Sequence, residues 1–167
     1  SGSYMAQALA KIDYALRHTG HQGLDVTIFD GDEVSESNIG RQLFSPADIS
    51  QNKAVITATK INRFYGTIWK GLPWHFNNGN FNIFISCVDS AKARIMINKI
   101  IHEKAEGYSH EQKFYWLDLG NSLNSGQIVL GTVNDIKQPK EEYAAKLPTV
   151  LDMFPDIEEH DTDNNAP

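Results

Sequence analysis

Leu24-Asp25-Val26-Thr27-Ile28-Phe29-Asp30-Gly31-Asp32 is a short β-rich run that stops in an acidic, glycine-containing turn. Ahead of it, Met5, Leu9, Ile12 and Leu16 recur at spacings of three and four. They predict a helix over Tyr4 to Leu16 with Lys11 and Asp13 off its apolar face, closed by Thr19-Gly20-His21-Gln22-Gly23. Behind it, Glu33 to Ser50 carries no steady period and predicts a structured loop with short helical turns, Ser45-Pro46-Ala47-Asp48 being a plausible helix start. Ala54 to Phe64 has helical spacing through Val55, Ile56, Ala58, Ile61 and Phe64, with Gly66 as the stop.

The alternation continues. Ile68 to Phe76 and Phe81 to Cys87 read as strands separated by Asn77-Asn78-Gly79-Asn80, and Ala91 to about Lys104 reads as a helix with Ser90 as N-cap. Lys113 to Leu117 and Gly126 to Val133 are again strand-like. Helices alternating with short apolar strands predict an α/β, Rossmann-like domain: a mostly parallel sheet with helices on both faces. From Asp135 onward Lys137, Pro139, Lys140, Glu141 and Pro148 predict an irregular arm. Asp156 to Pro167 should be poorly ordered. The expected organisation is therefore a nucleotide-binding domain over residues 1–134 and an arm with an acidic tail over residues 135–167.

Composition bounds the function. The 167 residues, 41% apolar and 10% aromatic, suit one soluble globular domain, which at this length needs no disulfide or metal staple. A single Cys, Cys87, excludes an internal disulfide and a Cys-only zinc site, and the six His show no paired ligand spacing. No apolar run approaches the roughly 20 residues of a membrane span, and no secretory signal opens the chain, so the expected location is the cytoplasm, with no membrane partner. The net charge of −6 belongs to the tail: residues 151–167 hold six acids and no Lys or Arg, and the other fifteen acids balance fifteen bases. A neutral body argues against nucleic acid as a partner.

Three features carry candidate chemistry. Asp30 ends a strand where a nucleotide fold uses an acid for ribose hydroxyls; the plainer alternative is a turn residue bonded to its own backbone. Asn38, Arg41 and Gln42 share one loop and Lys53 starts the next helix. They suit a polyphosphate, or else Arg41 pairs with Glu36 or Asp48 and Lys53 is solvated. Asp89 in Cys87-Val88-Asp89-Ser90 could hold Mg²⁺ together with phosphate oxygens, or Asp89 or Ser90 simply caps the helix. Cys87 itself is most simply a small buried strand residue.

Taken in order, these features resemble a family. Phe29 to Ala54, F-D-G-D-E-V-S-E-S-N-I-G-R-Q-L-F-S-P-A-D-I-S-Q-N-K-A, is similar to the signature of the ThiF/MoeB and ubiquitin-activating enzyme superfamily. Cys87 to Arg94, C-V-D-S-A-K-A-R, resembles its second motif, and Gly126-Gln127-Ile128 a weaker third. The resemblance runs from about Gly2 to Val133. More narrowly, M-A-Q-A-L-A-K-I-D-Y-A-L after Gly2-Ser3 is similar to the ThiF-type proteins of bacterial PRTRC cassettes, often carried on plasmids.

The resemblance implies ATP and Mg²⁺ as cofactors. Asp30 would hold the ribose, Asp32 would lie in the same nucleotide-binding turn, and Asn38, Arg41 and Lys53 would contact the phosphates. Gln42 matches the motif, Asp89 would hold Mg²⁺, and Arg94 would support it. Gly2 and Ser3 would be the last residues of a Gly-rich phosphate loop, which implies a first strand before Ser1. The implied reaction is adenylation of the C-terminal carboxylate of a small ubiquitin-like protein or peptide by a homodimer, with release of pyrophosphate and Arg41, Lys53 and Asp89 as catalytic groups. Neither the later Cys of thioester-forming members nor their zinc-binding Cys pairs is present. A non-catalytic scaffold of the same fold is the main alternative, but it needs none of these charges. A nicotinamide-dependent oxidoreductase has no polyphosphate terminus for Lys53 and the Asn/Arg/Gln loop to neutralise.

Overall fold

A computed structural model describes residues 2–106, 114–121, 125–136 and 146–158. The chain divides into two compact units, residues 1–76 and 77–167. The first contains α1 (Gly2–His18), β1 (Thr27–Phe29), α2 (Lys53–Tyr65) and β2 (Lys70–Leu72). The second contains β3 (Ile83–Ser86), α3 (Ala91–Glu106), β4 (Tyr115–Asn121), β5 (Gly126–Thr132) and the short α4 (Val150–Met153). The fold is the expected α/β, Rossmann-like class. Among the described residues its strands form two ladders: β1 parallel to β2, and β3 parallel to β4 with β5 antiparallel at the other side of β4.

In the first unit both strands are shorter than their apolar runs. Leu24 is diverted from the ladder: its N–H donates to Asp13 Oδ1 at 2.5 Å and its carbonyl accepts the Trp69 indole N–H at 3.2 Å. Pro73, which has no N–H to donate, ends β2 after Leu72. The buried stripe of α1 also differs from the expected face. Ser3, Ala6, Ala10 and Asp13 are buried, while Ile12 is 51% exposed. Small side chains at this spacing let α1 lie close to α2, with Leu9 packing beside them against Ile61 and Trp69. Asp13, expected off the apolar face, is 1% exposed, and its carboxylate holds the Leu24 N–H and pairs with Arg17 at 3.0 Å.

α2 packs on the β1–β2 ladder through Ala54, Ala58 and Ile61, and Gly66 ends it at φ +69°. Phe64, expected on that face, is 82% exposed. The approach is close: a Cβ at Gly71 of β2 would stand 2.4 Å from the Ala54 carbonyl oxygen and 2.7 Å from Val55 Cα. Between β1 and α2 the loop has the expected short helical turns, Glu36–Asn38 and Pro46–Asp48, both 3₁₀. Each begins at a Ser whose backbone N–H donates to the side chain three residues on, Ser35 to Asn38 at 3.0 Å and Ser45 to Asp48 at 2.6 Å. Lys60 of α2 pairs with Asp48 and fastens the second turn to the helix.

The second unit is built on β4. Trp116, Val129, Ile97, Ile101 and Val150 are buried, and α4 is started by Thr149, whose N–H donates to Asp152 Oδ2 at 2.8 Å. Much of the acidic tail lies outside the described residues, as do Lys137, Pro139, Lys140 and Glu141 of the expected arm.

Gly71→Ala should lower stability by about 1–3 kcal/mol, because the α2 backbone at Ala54 and Val55 cannot yield to the added methyl as a flexible side chain would. An unchanged urea midpoint would show that α2 does not rest on β2 this closely. Burial raises the Asp48 pKa, but hydrogen bonds from Lys60 and Ser45 outweigh it and leave the group below its ordinary 3.8. Asp152 is lowered chiefly by the Thr149 N–H. A carboxyl lowered on folding stabilises the protein above its unfolded pKa and loses that effect as pH falls through the folded value. Urea unfolding across acid pH should therefore show a steeper loss for the parent than for Asp48→Asn; equal slopes would remove Asp48 from the acid limb.

Candidate functional site

In the first unit, the turn beyond β1 is held to the start of α2 by one side chain. Asn52, the N-cap of α2, accepts the Val55 N–H at 3.0 Å through Oδ1. Its Nδ2 donates to the carbonyl oxygens of Asp30 at 2.8 Å and Asp32 at 3.0 Å. The Lys53 N–H adds a bond to the Asp32 carbonyl at 2.9 Å. Asp30, Asp32 and Lys53 are thereby brought together.

Asp30 Oδ1 accepts the Asp32 N–H at 2.9 Å, so the turn geometry weighed from the sequence is present. Its Oδ2 makes no hydrogen bond to a described residue, so one oxygen is left to accept a ligand hydroxyl. Burial raises the Asp30 pKa, against the lowering pull of the Asp32 N–H and of Lys53. Lys53 is not solvated: its ammonium lies 3.0 Å from Asp32 Oδ2 with the side chain only 16% exposed. Asp32 thus serves as the holder of Lys53. The His75 ring lies over the same turn, where a Cβ at Gly31 would come within 2.9 Å of it.

The Asn38-Arg41-Gln42 loop folds back on itself around Gly40 at φ +78°, with the Gln42 N–H donating to the Asn38 carbonyl at 3.0 Å. Asn38 is buried, and its Oδ1 is fixed as the acceptor by the Ser35 N–H, which leaves Nδ2 as a donor with no partner among the described residues. Arg41 Nε donates to the Ser37 carbonyl at 2.9 Å on an exposed side chain. Asp48, one of its possible partners from the sequence, is taken by Lys60. Gly2 is the first residue of α1, and buried Ser3 accepts the Leu43 N–H at 3.3 Å, which ties this loop to the first turn of α1. A mostly apolar cleft of about 460 Å³, lined by Ser3, Gln7, Leu43, Ile61, Phe64 and Tyr65 among others, includes none of Asp30, Asn38, Arg41 or Lys53.

In the second unit, Asp89 follows β3 as an exposed carboxylate with no hydrogen bond or ion pair to a described residue. Ser90 caps α3, accepting the Ala93 N–H at 3.2 Å, so capping falls to Ser90 and leaves Asp89 uncommitted. Cys87, half-buried, stands one residue past β3. Arg94 is 7% exposed, its Nε 3.0 Å from Asp118 Oδ2 and its Nη2 donating to the Val88 carbonyl at 2.7 Å. It supports the loop that carries Asp89. No group of three His, Cys, Asp or Glu among the described residues could hold a metal by itself. A lone carboxylate is the donor set of Mg²⁺ that arrives with phosphate oxygens and waters, and Asp89 fits that chemistry.

Sequence reasoning missed Asn52 and Asp118. The signal for Asn52 is its residue type, an N-cap former directly before the helix that Lys53 opens. Asp118 sits at an inward register of Tyr115-Trp116-Leu117-Asp118, and an acid in such a position asks for a buried cation.

No curated protein matches the chain strongly enough to count as a relative. A family model described as the ThiF family matches residues 1–113, from the first turn of α1 past the end of α3. That span is well over half of the sequence, and it includes the Asn38 to Gln42 loop, the start of α2 and the Asp89 loop. The chain belongs to the ThiF family.

Proposed function

We propose that this protein adenylates the C-terminal carboxylate of a small ubiquitin-like protein or peptide at the expense of ATP, releasing pyrophosphate. ThiF-family enzymes are generally ATP- and Mg²⁺-dependent adenylyltransferases, and the finer statement rests on this chain's own residues. The observation that carries it is the Asn52 clamp, which ties the turn that bears Asp30, with one carboxylate oxygen unspent, to the helix start that bears Lys53 and its pair with Asp32.

In this reading Asp30 Oδ2 accepts a ribose hydroxyl, and Lys53 exchanges part of its hold on Asp32 for a phosphate oxygen. Asn38 Nδ2 donates to the polyphosphate and Arg41 offsets its charge, with Gln42 beside them. Gly2 and Ser3 supply the first turn of α1, where backbone N–H groups favour an anion. Asp89 would hold the Mg²⁺, which would supply neutralisation of the phosphate charge. Arg94 acts indirectly by holding the Val88 carbonyl. An attacking carboxylate needs alignment and charge neutralisation but no protein nucleophile.

The same reading takes residues 1–134 as the working domain and residues 135–167 as an arm with an acidic tail. It also takes a homodimer of PRTRC type acting in the cytoplasm, plasmid-borne in bacteria, as the setting. Among the described residues no helix is long and apolar enough to cross a membrane.

Thermal melting of the full chain tests the proposal. Mg-ATP should raise Tm, a chelator should reduce the effect, NAD should leave Tm unchanged, and Asp89→Ala and Arg41→Ala should each lose most of the Mg-ATP shift. No shift with ATP would favour the scaffold, and a shift with NAD alone would favour the oxidoreductase.

A further inference from the structure

Four side chains in the second unit form a polar network inside its core. Asp118, Trp116, Ser86 and Arg94 are 1%, 1%, 2% and 7% exposed. The Trp116 indole can only donate, and its Nε1 lies 2.7 Å from Ser86 Oγ. Ser86 must therefore accept there, and its own proton goes to Asp118 Oδ1 at 2.6 Å. Asp118 also receives Arg94 Nε at 3.0 and 3.1 Å and Gln127 Nε2 at 3.3 Å. Among the described residues every group that reaches this carboxylate is a donor, and the Arg94 guanidinium balances its charge.

One bond leaves the network. Arg94 Nη2 donates to the Val88 carbonyl at 2.7 Å, and that carbonyl belongs to the peptide bond leading into Asp89. A guanidinium is a rigid planar fork, so fixing Nε on Asp118 also fixes where Nη2 points. Gly120 leaves room for it, since a Cβ there would stand 3.0 Å from Arg94 Nη2. The strands supply the frame: Ser86 is in register with Asp118 across β3–β4, and Gly120 with Gln127 across β4–β5.

We propose that Asp118 is a positioning residue for Asp89, acting through the Arg94 guanidinium and the Val88 carbonyl to hold the Asp89 carboxylate for the Mg²⁺ that accompanies ATP. The proposal rests on the adenylation reading of Asp89. An outer partner that orients a ligating group is worth about 10–100-fold in metal affinity, while one that merely fills a core is worth nothing specific to the metal. Gln127, from the weakest of the three motifs, joins the same carboxylate, so the second and third motifs meet at Asp118.

Calorimetric titration of ATP into the full chain, once with a chelator and once with saturating Mg²⁺, separates the possibilities. The variants are Asp118→Asn, Arg94→Lys and Asp89→Ala, with circular dichroism as the check on folding. Arg94→Lys keeps a cation for Asp118 but has a single ammonium that cannot also reach Val88, so it decides the matter if Asp118→Asn fails to fold. In the parent, Mg²⁺ should tighten ATP binding by at least ~10-fold. Asp118→Asn and Arg94→Lys should bind ATP in chelator within about twofold of the parent yet lose most of that gain, as Asp89→Ala does. A gain kept by either folded variant, equal weakening with and without Mg²⁺, or loss of the fold in both variants would overturn the positioning role alone. A parent with no Mg²⁺-dependent gain would overturn the reading of Asp89 itself.

Discussion

The side-chain amide of Asn52 is the constraint on which the first unit's site depends. A helix N-terminus leaves backbone N–H groups without partners, and a turn after a strand leaves carbonyls without partners. Asn52 answers both with one group, accepting from Val55 and donating to Asp30 and Asp32. Because its donors and acceptor diverge from a single rigid amide, the end of β1 and the start of α2 cannot drift apart. The close seat of Ala54 on Gly71 sets the same helix against β2, so the position of Lys53 is fixed by backbone packing as well as by the cap.

The second unit solves the same problem with charge. Beyond β3 the chain must turn into α3, and the Val88 carbonyl left at that turn is taken by Arg94 from the helix's own first turn. Burying a guanidinium there is costly, and Asp118, Ser86 and Gln127 offset that cost. In both units a strand's carboxyl end is tied to the next helix by a polar side chain of that helix's start, and an acid is left at the turn: Asp30 with one oxygen unspent, Asp89 with both. Open α/β folds bind ligands beyond the carboxyl ends of their strands, which is where these acids stand.

The sequence carried the elements more reliably than their faces. Periodicity located the three long helices of the described residues, Ser90 marking the start of α3 and Gly66 the end of α2 as capping chemistry requires. It misplaced the buried stripe of α1, because apolarity pointed to Met5, Leu9, Ile12 and Leu16 while close packing on α2 selected the small side chains of Ser3, Ala6 and Ala10. Asp13 lies off the apolar face, and no one-dimensional pattern shows that a turn eleven residues on needs its carboxylate. Strand ends were overestimated wherever apolar residues served the core without joining a ladder, as at Leu24 and beyond Pro73. Among the candidate residues, type and order were legible, but commitments were not. That Lys53 is held by Asp32, that Asn38 keeps one donor free and that Arg94 faces Asp118 are properties of contacts between distant segments.

On the adenylation proposal, Asp30, Asn38, Lys53 and Asp89 all serve a magnesium nucleotide. Titrating ¹⁵N-labelled protein with Mg-ATP and following each amide by NMR tests it most directly. The Asn38 side-chain NH₂ should move together with the backbone amides of Asp30 to Asp32, Asn38 to Gln42, Lys53, and Asp89 to Ser90, while the lining of the α1–α2 cleft stays still. Shifts confined to that cleft, or a silent Asn38 side chain at saturating Mg-ATP, would contradict it.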